Sequence, residues 1–189
     1  LALDTATEAC SAALLHEGEV VYRSEVIPRE HAQRILPMLQ ELMLERGIAL
    51  GDVDALVFGR GPGAFTGVRI ATGKPVIAIS NLAALAQRAW REHQAEYVAA
   101  AIDARMDEVY WGVFALNDGV MRPLCDERVC APEQVELPLE TGQADVAGAG
   151  ARDLLALALP RWLAGEVLDA ADAQPIYLRD KVATPKAQR

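Results

Sequence analysis

Leu1-Ala2-Leu3-Asp4, Cys10-Ser11-Ala12-Ala13-Leu14-Leu15 and Val20-Val21-Tyr22-Arg23-Ser24-Glu25-Val26 are three strand-length runs at the head of the chain, and they decide its fold class. The first is a short apolar run that ends on a carboxylate, the pattern of a buried strand. The second is small and apolar throughout. In the third, Val21, Arg23 and Glu25 alternate against Val20, Tyr22 and Val26, the period of a strand. His16-Glu17-Gly18-Glu19 supplies a tight turn with Gly where a positive φ is needed. Three consecutive strands so joined form an antiparallel meander.

Beyond the meander, Arg29 to Arg46 reads as a long helix, with Pro28 in its first turn, Pro37 inside it and Gly47 as its stop. Ala55 to Phe58 reads as a short buried strand, followed by a glycine-rich segment, a strand at Pro75 to Ile79, and a helix from Leu82 to about Arg91 capped by Asn81. The second half restarts the pattern. Tyr97 to Ile102 reads as a strand ending on Asp103, and Glu108 to Leu116 and Val120 onward as a hairpin closed at Asn117-Asp118-Gly119. A strand is expected at Ala144 to Ala149, a helix at Asp153 to Leu159, and a loop-like end around Pro175 to Arg179. A meander feeding alternating helices and strands, twice, is an α/β arrangement with a mixed sheet in each half. The divide falls at Gln94–Ala95, giving an N-terminal lobe over 1–94 and a C-terminal lobe over 95–189.

The 189 residues include 52% apolar and 24% charged side chains, ample for a packed core. Acidic residues outnumber basic ones by 27 to 18, for a net charge of −9, and no Lys/Arg cluster precedes the tail from Arg179 to Arg189. Strong binding of nucleic acid by this chain alone is not expected, because phosphate contacts need a basic surface. Cys10, Cys125 and Cys130 form no C-x-x-C pair and read as reduced thiols, which points to the cytoplasm. No run is long enough to span a membrane, and no signal peptide is visible. The chain opens inside a strand, so a few residues are expected to precede Leu1. After Arg69 only Ile70 to Lys74 remain before the next strand, too few for a parallel crossover. Further residues are expected there, and between Arg152 and Pro175.

Four segments could carry chemistry. Asp4-Thr5-Ala6-Thr7 could hold a metal-bound phosphate, or merely satisfy its own backbone in a turn. Gly59-Arg60-Gly61-Pro62-Gly63-Ala64-Phe65-Thr66-Gly67-Val68-Arg69 lets the backbone approach a ligand or another chain closely, with Thr66 able to cap a following helix; a tight strand-to-helix turn is the plainer alternative. It matches neither phosphate-loop pattern. Ile102-Asp103-Ala104-Arg105 repeats the first arrangement. Asp4 and Asp103 could face each other across a nucleotide cleft with Thr5 and Arg105, or Asp103 and Arg105 could form an ion pair. On the long helix, Ile35, Leu39 and Leu42 form one apolar stripe. Leu36, Met38, Met43 and Leu44 spread beyond it, as for a helix packed on a second chain or buried on two sides of its own domain. His16, His31 and His93 offer no pair four apart, so no helical metal pair is read.

Together, Leu3-Asp4-Thr5-Ala6, Glu30-His31-Ala32-Gln33, the glycine segment and Ile102 to Tyr110 resemble the TsaB (YeaZ) family, in the right order. The likeness resumes at Ala147 to Gly150 and Pro175 to Arg179. It implies a two-lobed actin-like (ASKHA, ribonuclease-H-like) fold and a non-catalytic role in forming threonylcarbamoyladenosine at position 37 of tRNAs that read codons starting with A. The family's catalytic relative, TsaD, carries a His-x-x-x-His metal pair at positions matching Asn81 and Leu85, and neither residue can replace an imidazole ligand. No metal and no cofactor are therefore expected on this chain alone, ATP and magnesium being used by the complex. The implied partners are TsaD, the ATPase TsaE, and a second copy when the chain is alone, with tRNA met only through the complex. The implied partner surface is the long helix, taken as His31, Arg34, Ile35, Met38, Leu39, Leu42 and Met43, together with the helix after the glycine segment, the segment itself being carried by Gly59, Gly61, Gly63, Thr66, Gly67 and Arg69. The rival is an ATP-binding ATPase or kinase of the same fold using Asp4 and Asp103; a metallopeptidase lacks its ligand pair.

Overall fold

The computed structural model describes residues 1–6, 9–27, 30–62, 73–135, 150–173 and 178. The meander is present as β1 (Ala2–Asp4), β2 (Ala9–His16) and β3 (Glu19–Val26). Its turn takes positive φ at Glu17 and Gly18, the handedness that matches twisted antiparallel strands. Helix α1 (His31–Glu45) comes next, then β4 (Leu56–Gly59), β5 (Val76–Ile79) and α2 (Asn81–His93). The second half holds β6 (Tyr97–Arg105), β7 (Glu108–Asn117), β8 (Val120–Pro123), β9 (Arg128–Cys130) and α3 (Ala151–Leu163).

The first sheet has the order β3-β2-β1-β4-β5, with β1, β4 and β5 parallel and the meander antiparallel. The second runs β6-β7-β8, with β9 also on β7. This is the mixed α/β, actin-like architecture expected.

Strand alternation distributes the core. Leu3, Cys10, Ala12, Leu14 and Leu56 pack toward α1, where Ile35, Met38, Leu39 and Leu42 meet them. Ala2, Ala13, Val57, Ile77 and Ile79 face the other way, into a cluster shared with α2, α3 and Phe114, Val120 and Met121 of the second sheet. Helices α2 and α3 thus form a layer between the two sheets. The expected divide at 94–95 falls between α2 and β6, yet the core runs across it: α2 packs on β6, β7 and β8, while α3, from the second half, packs on β1, β2, β4 and β5.

Several boundaries differ from expectation. α1 starts at His31, and 28–29 lie outside the described residues. The cap of α2 is Ser80, whose Oγ accepts from the amides of Leu82 and Ala83; Asn81 is already helical and buried. β6 runs two residues past Asp103 through a bulge, and Arg105, Met106 and Asp107 all take positive φ in the turn. α3 is longer than expected, with Pro160 inside it, and β9 went unread because three residues give no periodicity. The strand expected at 144–149 and most of the end lie outside the described residues. Among the described residues, no helix is long and apolar enough to cross a membrane.

Candidate functional site at the carboxyl ends of the parallel strands

β1, β4 and β5 end side by side at Asp4, Gly59 and Ile79, the edge of an open α/β sheet where ligands gather. Asp4 is 3% exposed. Its Oδ1 accepts the amide of Ala6 at 3.0 Å, while its Oδ2 is buried with no hydrogen-bond partner. Burial pushes the carboxyl up to about 6; the amides of Ala6 and Thr5 and the nearby His31 oppose this, and Asp153 adds to it. Thr5 is also buried.

Across the β1–β2 ladder from Asp4 stands Ser11, whose Oγ accepts the amide of Ala151 at 2.9 Å and so fixes the start of α3. Two residues on, Asp153 is 2% exposed and held by Arg91 of α2, with Nε at 2.8 Å from Oδ1 and Nη2 at 3.2 Å from Oδ2. Burial raises the Asp153 carboxyl even against this guanidinium. The Asp153–Arg91 pair on α3 and α2 lies near enough to Asp4 for the Asp153 charge to act on its carboxyl. On the α1 side, His31 is the first helical residue, and its Nε2 is buried without a partner. Ser11, Arg91 and Asp153 were not singled out in the sequence. Asp153, an acid in a helix's first turn after a Gly, offered a weak signal; Ser11 and Arg91 offered none.

Of the glycine segment, Gly59, Arg60, Gly61 and Pro62 are described, whereas Gly63, Thr66, Gly67 and Arg69 lie outside the described residues. Gly59 ends β4 against the Asn81 side chain: a Cβ there would overlap Asn81 Oδ1. Leu85, one turn further along α2, belongs to the shared core.

Asp103 is in a different setting from Asp4. Its side chain is 65% exposed; Oδ1 accepts the amide of Arg105 at 2.7 Å and Oδ2 pairs with the Arg105 guanidinium at 3.1 Å. The ion-pair alternative is the one that forms, within a hairpin turn. A buried Asp4 and an exposed, turn-bound Asp103 do not make the symmetrical pair that their sequence contexts invite.

Helix α1 turns four of the seven residues of the expected partner surface inward. Ile35, Met38, Leu39 and Leu42 are at most 3% exposed, packed on their own sheet, with Met43 partly buried beside them. A sheet-packed helix with bulky Met38 needs a wider stripe than the three residues first assigned to it. Arg34 lies against Glu25 of β3 and Glu41, with Nε 2.8 Å from Glu25 Oε2, and the two carboxylates raise its pKa further. The large apolar side chains left facing outward on α1 are Leu36 and Leu44, 50% and 81% exposed. Among the described residues, no group of three His, Cys, Asp or Glu side chains is placed to hold a metal ion.

A family model described as TsaD, tRNA N6-adenosine threonylcarbamoyltransferase, matches residues 20–173. The tRNA threonylcarbamoyladenosine biosynthesis protein TsaB of Haemophilus influenzae is 41% identical over 226 aligned positions, covering 98% of this chain and 95% of the relative. Its namesake from Escherichia coli is 39% identical, covering 98% and 96%. The 226 positions outnumber the 189 residues here, so the Haemophilus protein has internal residues with no counterpart in this chain. The sequence leads one to expect such residues after Arg69 and between Arg152 and Pro175. Among solved structures, YeaZ from Pseudomonas aeruginosa superposes with a TM-score of 0.84 at 51% identity, covering 94% of this chain and 98% of that one. By identity along nearly its whole length and by fold, the chain belongs to the TsaB (YeaZ) family.

Proposed function

We propose that this chain serves tRNA threonylcarbamoyladenosine formation as a non-catalytic subunit, pairing with a catalytic TsaD-type protein, helping to recruit the ATPase TsaE, and meeting tRNA only within that complex. The place in this biosynthesis follows from the relatives' names. The observation that carries the non-catalytic part is the use made of α2. Asn81 and Leu85, the positions that match the catalytic relative's metal pair, are 3% and 8% exposed, the first hydrogen-bonded to the carbonyl of Pro62 and the second packed in the shared core. The chain then holds no metal and no cofactor of its own, and ATP and magnesium act elsewhere in the complex. The outward side of α1, with Leu36 and Leu44, suits a partner helix, whether from TsaD or from a second copy when the chain is alone. The proposed setting is the cytoplasm.

Reconstitution with TsaD, TsaE, tRNA, ATP and a threonylcarbamoyl donor, with and without this chain, tests the reading. Modification is expected only when this chain and TsaD are both present; modification by this chain without TsaD refutes it. A second reading, an ATP-binding ATPase or kinase built on Asp4 and Asp103, draws on the unmatched Asp4 Oδ2. ATP–magnesium titration of the isolated chain with a phosphate-release assay separates the two, tight binding with release favouring the enzyme.

A further inference from the structure

Of the two edges of the first sheet, one is covered and one is open. At the β5 edge, Val76 exchanges both backbone hydrogen bonds with Leu168, each 2.9 Å. At the other edge, β3 has β2 as its one strand neighbour among the described residues. The two-residue turn at Glu17-Gly18 makes His16–Glu19 a hydrogen-bonded pair, so Glu19, Val21, Arg23 and Glu25 bond to β2. The backbone N–H and C=O groups of Val20, Tyr22, Ser24 and Val26 therefore point away from the sheet, and the Tyr22 carbonyl, turned outward, accepts the Arg23 guanidinium at 3.1 Å. Natural edges are blunted by short length, proline, bulges or free charge. By contrast, β3 runs eight residues in unbroken register and contains no Pro. Its charged side chains are held in ion pairs on the α1 side, Glu19 with Arg46, Arg23 with Glu45 and Glu25 with Arg34. On its opposite face Val20, Tyr22 and Val26 are 44%, 49% and 72% exposed, and the Arg152 guanidinium lies 5.5 Å from the centre of the Tyr22 ring.

We propose that β3 pairs antiparallel with β3 of a second copy of the chain, about a two-fold axis through Ser24, so that the two first sheets become one continuous sheet. Self-complementarity identifies the occupant. With Ser24 opposite Ser24, Tyr22 stands opposite Val26 and Arg23 opposite Glu25, each twice, and Val21 stands opposite Ile27. Aromatic with β-branched and cation with anion are favourable cross-strand pairs. An axis through Arg23 would set that cation against itself, and one through Tyr22 would set Glu19 against Glu25. A two-fold contact needs one patch that complements itself, and of these three registers the one through Ser24 does so. The contact is made by the strand edge and not by the outward side of α1, so it goes beyond the subunit reading and does not depend on it.

Sedimentation equilibrium of the full chain over a concentration series tests this, with Leu36→Glu and Leu44→Glu present throughout so that the outward side of α1 does not contribute. Thermal unfolding checks the fold of every variant. A concentration-dependent dimer is expected. Arg23→Glu sets like charges at both Arg23–Glu25 contacts and should weaken the dimer at least about tenfold. The Arg23→Glu, Glu25→Arg double variant restores opposite charges there and should regain most of that loss. Ser24→Pro removes an outward N–H that β2 does not use and should abolish the dimer while each copy stays folded. The register is read by cross-linking with Cys125→Ser and Cys130→Ser in place. Ser24→Cys should bridge to its own copy under mild oxidation, because opposed residues of a hydrogen-bonded pair stand about 5.5 Å apart, whereas Val20→Cys should not. The proposal is overturned if the chain is monomeric at every concentration, if Ser24→Pro dimerises as its parent does, if the charge swap dimerises no better than Arg23→Glu, or if Val20→Cys cross-links as readily as Ser24→Cys. Should Ser24→Pro fail to fold, the charge swap and the cross-links still decide.

Discussion

Asp4 and Asp103 end two strands with much the same local sequence, and the structure puts them to opposite uses. Asp4 lies under α1 and α3, 3% exposed, with one oxygen unmatched and its carboxyl pushed up to about 6. Asp103 lies at a hairpin tip with its side chain 65% exposed, closing a turn onto Arg105. The difference arises from the path the chain takes after each strand. Leu3-Asp4 precedes a strand that returns into the sheet interior beneath two helices, whereas Asp103 precedes three residues of positive φ at the rim of the second sheet. Burial, not the motif, decides whether a carboxylate is strained or merely useful to its turn.

The greatest loss is expected where the Asp4 neighbourhood is tested as a strained cluster. Arg91→Met leaves the 2%-exposed Asp153 without its guanidinium and close to a second buried carboxylate. Stranding one partner of a buried pair should cost about 3–4 kcal/mol at neutral pH. The deficit should shrink as pH falls, because the protonated Asp153 no longer needs a partner. Urea denaturation at pH 7.5 and pH 5 measures both; a loss under about 1 kcal/mol, or one independent of pH, would show that the cluster is not electrostatically coupled.

Next comes Asp4→Asn, which should stabilise the fold. The carboxyl takes up its proton more readily in the folded chain, at about 6, than at its ordinary value of 3.8. Its favourable contribution is thus complete below about pH 3.8 and is lost as pH rises through 6. Above that the ionised form burdens the fold by about 2–3 kcal/mol, at roughly 1.4 kcal/mol per pKa unit. The Asn variant should therefore lead wild type by that amount at pH 7.5 and lose the lead between pH 6 and pH 4. A variant less stable than wild type at pH 7.5 would mean that Asp4 is better satisfied than its unmatched Oδ2 implies.

How much of this could be read beforehand differs between the two carboxylates. The meander, the parallel strands and the two hairpin turns follow from alternation and from Gly18 and Gly119, which carry the positive φ that such turns require. Asp4 was legible as a candidate because it ends an apolar run. That it is strained was not, since the burying groups come from far along the chain: Ser11 Oγ bonds the amide of Ala151, 140 residues away. The division of α1 is hidden in the sequence for a related reason. Counting stripes on a helix does not reveal how wide a sheet surface it covers, and Met38 proved to be core. Asn81 suits a capping role, but Ser80 beside it suits it as well, and only the tertiary bond to Pro62 separates them.

The outward side of α1 yields a smaller effect on folding and a selective one on association. Leu36→Glu and Leu44→Glu, at 50% and 81% exposure, should each change stability by no more than about 0.5 kcal/mol. If this face carries the partner, both should weaken co-purification with TsaD and self-association in sedimentation. Undiminished association in both variants would remove α1 from the interface.

The slightest change is expected at the exposed member of the pair. Asp103→Asn should leave stability within about 0.5 kcal/mol of wild type at any pH between 5 and 8, because exposed ion pairs contribute little and the amide oxygen of Asn can still accept the Arg105 backbone N–H. Asp103→Ala removes that acceptor from a turn whose three residues all hold positive φ, and should cost about 0.5–1 kcal/mol, unaffected by salt. Equal behaviour of Asn and Asp, with Ala worse than either, would identify the backbone hydrogen bond and not the charge as the residue's contribution. A loss of tRNA modification in Asp103→Asn at unchanged stability would reverse the conclusion. The charge would then be needed by something outside the chain, and the exposed carboxylate would rank beside the buried one as part of a site.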